Sequence, residues 1–128
     1  MRRIPLPTPA MPHLLLIHEA VHQRAERGEE AGRAVYQRML DWAETLKQRN
    51  VLMAMSSLEH VSQGLRVQRR DGRRVVDGPF TEAKEMVGGF FLLNVDDREQ
   101  ALALAAECPA AEWATVEVRA TGPCYVST

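Results

Sequence analysis

The chain is short of three things, and each shortage excludes a class of function. It has no excess of charge of either sign. Lys and Arg number 16 against 17 Asp and Glu, a net charge of -1 over 128 residues. A near-neutral chain has no global electrostatic pull toward nucleic acid or an anionic membrane. It has no apolar run near the ~20 residues that a membrane helix needs. Arg2 and Arg3 are followed by Pro5, Pro7, Pro9 and Pro12 rather than by an apolar stretch, which argues against a secretion signal. Residues 1–12 are therefore expected to be a Pro-rich extension, and 13–128 a single domain. Cysteine is scarce too. Cys108 and Cys124 make no CxxC pair and no ligand cluster, so two reduced thiols in a cytoplasmic protein are favoured over a disulfide.

What the chain does have suits a small packed domain. Hydrophobic residues make up 45% and charged residues 26%, enough for both a core and solubility. His13–Ile17 (HLLLI) predicts a buried strand, and residues 19–30 a loop or a ragged helix start. From about Glu30 to Arg49, Ala31, Val35, Met39, Trp42, Ala43 and Leu46 recur at helical steps, with charges on the opposite side. Val51–Leu58 predicts a strand with Val51, Met53 and Met55 facing the core. Asp71-Gly72, between Leu65/Val67 and Val75/Val76, is a two-residue hairpin turn, because both residues tolerate positive φ. Asp77-Gly78-Pro79 ends that hairpin. Gly89–Val95 predicts a central strand. Asp97 caps a second helix with Gln100 as its capping-box partner, Pro109 stops it, and Thr115–Arg119 alternates as the last strand. The order β-α-β, hairpin, β-α-β gives an α+β, ferredoxin-like (split βαβ) layout. Aliphatic residues on both sides of its strands call for cover on the second sheet face, and a second copy of the chain is the simplest cover.

Asp77-Gly78-Pro79-Phe80, followed by Thr81-Glu82-Ala83-Lys84-Glu85 and Gly88-Gly89-Phe90, resembles the signature of the DGPF proteins of the YCII-related family. The flanking LLLI strand, the DG hairpin, the helix ending at Pro109 and the closing VEVR stand in the matching order, over about His13 to Arg119. The resemblance implies a dimeric α+β barrel similar to that of muconolactone isomerases, with a cleft between sheet and helices in each subunit. Some YCII relatives look like lactone-processing or dehydrochlorinating enzymes that use a His near the first helix with a nearby carboxylate. Residues 32–49 of this chain hold no His.

Several residues have types suited to chemistry. His18 stands where the first strand leaves the sheet, expected to open to the cleft, and an imidazole there suits acid-base work near neutral pH. Asp77 is the expected carboxylate partner, although Asp before Gly-Pro equally suits a turn. Phe80 could wall a pocket. Glu82, Lys84 and Glu85 could hold an anionic substrate and move protons, or form a solvated connector. Arg119 could clamp a carboxylate or pair with a Glu. His18-Glu19-Ala20-Val21-His22 has the H-E-x-x-H spacing of a zinc hydrolase, but that geometry requires a helix. The motif follows an apolar strand and has no recognisable third ligand, so no metal and no cofactor is expected. Arg66, Arg69, Arg70, Arg73 and Arg74 cluster on the hairpin without the aromatic interleaving that single-stranded nucleic acid favours. Two functional classes follow. One is a small-molecule cleft protein, a lyase or isomerase acting on a carboxylated or lactone-like compound. The other is a non-catalytic ligand-binding or regulatory module.

Overall fold

The computed structural model of the chain describes residues 11–78 and 83–127. The Pro-rich stretch up to Ala10 and Pro79, Phe80, Thr81 and Glu82 lie outside the described residues. Among the described residues the architecture is a mixed α+β fold: an antiparallel sheet with three helices, and no closed barrel. Its strands are β1 (His13–Ala20), β2 (Leu52–Ser57), β5 (Glu85–Leu93) and β6 (Thr115–Ala120), in the spatial order β2-β5-β1-β6. β3 (Arg66–Arg70) and β4 (Arg73–Asp77) form a separate two-stranded hairpin. The helices are α1 (Gln23–Arg27), α2 (Glu29–Gln48) and α3 (Arg98–Glu107).

β1 is central because both of its edges are paired, to β5 and to β6. Its side chains alternate strictly between buried and half-buried positions. His13, Leu15, Ile17 and Glu19 face the helices, and Leu14, Leu16, His18 and Ala20 face the other way. This two-residue period fixes which residues can meet. Leu15 joins Leu46 of α2, Leu93 and Phe91 of β5 and Leu104 of α3 in one core. Trp42 packs edge-on against Phe91, with ring centroids 5.0 Å apart. His13 is buried at the edge of this core, and its Nδ1–H donates to the Val95 carbonyl at 2.8 Å.

The long helix is the one expected from the periodicity, and Asn50 follows it with φ 57°. The hairpin turn is formed by Asp71 (φ 50°) and Gly72 (φ 74°), as a type I′ turn demands. Two expectations need correction. Met53 does not face the core: the β2–β5 pairing slips between Leu52 and Ala54, leaving Met53 52% exposed, because a bulge re-aims the side chains beyond it. The Asp97 carboxylate caps α3 by accepting from the Glu99 N–H, with no reciprocal bond from Gln100.

Candidate functional site

The strand alternation carries Glu19, at the end of β1, to the helix side of the sheet, where it is only 7% exposed. A carboxylate so placed requires a partner. Arg24 of α1 supplies it, its Nε–H donating to Glu19 Oε1 at 2.6 Å. Room for this pair comes from the neighbouring strand. A Cβ on Gly88 would lie 2.5 Å from Glu19 Oε1 and 3.1 Å from Arg24 Nη2. Gly88 is also the residue skipped in the β1–β5 register, which runs Ile17 to Gly89 and His18 to Val87. The Gly88 carbonyl consequently accepts from the Leu58 N–H at 2.9 Å and from Arg24 Nη2 at 3.4 Å.

Above this pair lies a cleft of about 620 Å³ between the sheet and α2. It exists because the buried residues of α2 (Trp42, Ala43 and Leu46) all belong to its C-terminal half. The preceding turns present Gly32, Val35, Tyr36 and Met39 to the cleft instead. Ile17, Met55 and Phe91 line the sheet side, and Trp113 and Arg27 also border it. The lining is chiefly apolar, and the Glu19–Arg24 ion pair in it joins a buried carboxylate to a half-buried guanidinium. A concave, chiefly apolar wall with few converging polar groups is the usual form of a small-molecule site.

The Trp113 ring is held from several directions. Arg27 and Arg38 guanidinium carbons lie over it at 5.6 and 5.4 Å from its centroid, within cation–π range. Arg38 also binds Glu112 through two 2.8 Å hydrogen bonds. That fork holds the Glu112 carboxyl below the usual carboxylate range. Gln23 Nε2 donates to the Trp113 carbonyl at 2.7 Å.

The family model for the YCII-related domain matches residues 11–123, the whole span that supplies this cleft. The chain belongs to the YCII-related family. No curated protein matches the sequence.

Within this YCII-related fold the expected site residues are dispersed. His18 does not open to the helix-side cleft. It points from the opposite sheet face, because it falls between the inward Ile17 and Glu19. Its Nε2–H donates to Glu117 Oε1 of β6 at 2.6 Å. The carboxylate at His18 is thus Glu117, whereas Asp77 stands exposed at the end of β4, in register with Arg66. Arg119 also pairs with Glu117, its Nε–H donating to Oε2 at 2.7 Å. The His18 hydrogen bond first, and the Arg119 bond second, hold the Glu117 carboxyl below its ordinary range. Glu85 shares a second hollow, of about 650 Å³, with His18, His60 and Arg66. Lys84 is exposed, and its carbonyl accepts from the Val21 N–H at 3.1 Å. Phe80 and Glu82 lie outside the described residues.

The H-E-x-x-H motif does not form a zinc pair. It runs from the end of β1 into a turn, His18 contacts Glu117, and His22 lies 3.6 Å from Glu26. Among the described residues no cluster of three His, Cys, Asp or Glu side chains could hold a metal ion. No helix among them is long and apolar enough to cross a membrane. Sequence reasoning met Glu19 only inside the H-E-x-x-H string and passed over Arg24, Trp113 and Glu117. The signal for Glu19 was present in the period of HLLLIHE, which puts its carboxylate on the same face as Leu15 and Ile17. Arg24 and Trp113 carry no comparable signal, because their places in the cleft depend on the turn after β1 and on the 3₁₀ turn Pro109–Glu112.

Proposed function

We propose that this YCII-related protein binds a small, mainly apolar molecule bearing a carboxylate or lactone-like group in the helix-side cleft. There it moves a proton on that molecule, as an isomerase or lyase. The observation that carries this reading is the buried Glu19 carboxylate, paired with Arg24 in the lining of an apolar cleft. Glu19 is the proton acceptor, with Arg24 fixing its orientation and Oε1 already engaged. Proton abstraction beside a carbonyl followed by reprotonation, or by loss of a leaving group, needs no co-reactant. The Asp77-Gly78-Pro79-Phe80 string supports placement among the DGPF proteins of the family.

The same reading includes a ferredoxin-like subunit, supported by the β2-β5-β1-β6 order, working as a homodimer in a barrel. Leu14, Leu16, Phe90 and Leu92 share the sheet face away from the helices and are half-buried in the single chain. A second copy would cover them. His18, Glu117 and Arg119 lie on that face and belong to the subunit interface in this reading.

The test is proton exchange in deuterated water, followed by NMR on a panel of small carboxylates and lactones. Wild-type protein is expected to exchange or convert at least one compound. Glu19→Gln should slow it roughly 10²- to 10⁴-fold, the range for loss of a general base, while His18→Ala stays active as a folded dimer. Activity that survives Glu19→Gln but vanishes with His18→Ala would reverse the assignment.

One observation favours a second reading, a regulatory module. Every residue of β3 and nearly all of β4 are exposed, and the hairpin carries Arg69, Arg70, Arg73 and Arg74 beside the exposed Leu65 and Val67. Capture of one defined partner that is lost when these four arginines become serine supports it. Capture that ignores them counts against it.

A further inference from the structure

We infer that Arg27 is the specificity-determining residue of the cleft, and that with Trp113 it selects a flat, aromatic monocarboxylate. The inference rests on the reading that the cleft is the ligand site, and adds the chemical class of the ligand. α1 is only five residues long, yet Arg24 and Arg27 stand three apart on it and therefore share a side. Both border the cleft. Their circumstances differ. Arg24 is tied to Glu19 at 2.6 Å, and the third cleft arginine, Arg33, is tied to Glu29 at 2.6 Å. Among the described residues no carboxylate lies within ion-pair distance of Arg27, whose guanidinium carbon stands 5.6 Å from the centroid of the Trp113 ring.

A guanidinium held over an aromatic face keeps its planar N–H fork available. That fork matches a carboxylate bidentately. Arg27 is half-buried, so a bond made there is less weakened by water than one on an open surface. Trp113 is fixed by Gln23 and by the Arg38–Glu112 fork beside it, so Arg27 rests on a rigid platform.

The ligand's body is indicated by the aromatic lining. The chain has only two Trp, two Tyr and three Phe, and Tyr36, Phe91 and Trp113 all border this one cleft. Concentration of scarce aromatics around one space suits a flat apolar ring system, which stacks or packs edge-on against them. The carboxylate then sits at Arg27, the ring lies among the aromatics and methionines, and the remaining end faces Glu19. Anion recognition and proton transfer are thereby assigned to different residues.

Calorimetric titration of the full chain with 2-naphthoate and with its neutral counterpart 2-naphthalenemethanol tests this. Wild type should bind the carboxylate roughly 10- to 100-fold tighter than the alcohol, the gain from one charge-assisted contact. Arg27→Met should bring the ratio to about 1 while leaving alcohol affinity within about 2-fold, since its charge and not its stem is what the alcohol ignores. Far-UV circular dichroism checks that the variant is folded. A preference that survives Arg27→Met, the lack of any preference in wild type, or the lack of binding by either probe overturns the inference. Gly32→Leu, which fills the cleft, should weaken both probes. If it weakens neither while Arg27→Met still acts, the cleft reading fails with it. If Gly32→Leu weakens both and Arg27→Met changes nothing, the cleft stands and the role of Arg27 falls.

Discussion

Glu19 and Gly88 are interdependent. The carboxylate occupies the space that a Cβ at Gly88 would take, 2.5 Å from Oε1 and 2.7 Å from Cδ. The obstructing atoms are the end of a side chain, so Gly88→Ala is expected to push the carboxylate off Arg24 and not to break the sheet. Ligand affinity should therefore fall much more than stability, which loses about 1–2 kcal/mol. Chemical denaturation beside a ligand titration checks the contrast. The thiols differ as sharply. Burial pushes the Cys108 thiol up to about 11, and Cys124 is exposed. Near pH 8, Ellman's reagent should meet one fast thiol in the native protein and the second only on unfolding, because the thiolate is the reacting species. Two fast thiols would contradict the packing of α3. At this scale the sequence was legible in type more than in place. An acidic residue on the core phase of a strand could be found by counting in twos from Leu15. Residue type alone points to His18, and the strand phase places it beside Glu117. Arg24 was not legible, because nothing local ties the fifth residue after Glu19 to its carboxylate.

At the scale of elements, α2 has two halves with different work. Its C-terminal half anchors the core, so Leu46→Ala, at a fully buried position, should cost about 2–5 kcal/mol. Its N-terminal half roofs the cleft and makes few packing demands. A Cβ at Gly32 meets nothing within 4 Å, so Gly32→Ala should stabilise the protein by about 0.5–1 kcal/mol through helix propensity. Thermal unfolding of both variants measures the asymmetry, and a Gly32→Ala variant destabilised as much as Leu46→Ala would refute it. Periodicity made the helix legible almost to the residue, because an amphipathic stripe is a local property. The bulge that exposes Met53 was hidden, since it belongs to the pairing of β2 with β5 and not to β2 alone. The hairpin turn was clear because Asp-Gly states a backbone requirement directly.

At the scale of the whole molecule, the sheet separates two chemistries. One face holds the cleft and the Glu19–Arg24 pair. The other holds a half-buried apolar patch bordered by His18, Glu117 and Arg119. The Glu117 carboxyl is depressed in the folded chain, so its contribution to stability is present above the ordinary carboxylate range near pH 4 and is lost as pH falls through the depressed value. Glu117→Gln should flatten that part of the acid unfolding curve, and an unchanged curve would show that the pair is not formed in solution. Leu16→Arg, on the proposed dimer face, should yield monomers by analytical ultracentrifugation. The layout of strands and helices could be read from the order of hydrophobic patterns, and the family from strings along its length. The cleft was implied by the family resemblance alone, because it is formed by a helix half that fails to pack, and such a failure has no pattern of its own.

Native mass spectrometry of wild type and of Gly32→Leu, each incubated with the same mixture of small aromatic carboxylates and lactones, tests the cleft most directly. Wild type is expected to carry one small molecule per chain, and Gly32→Leu, equally folded, to carry none. Equal loading of both would place the ligand elsewhere and contradict the account.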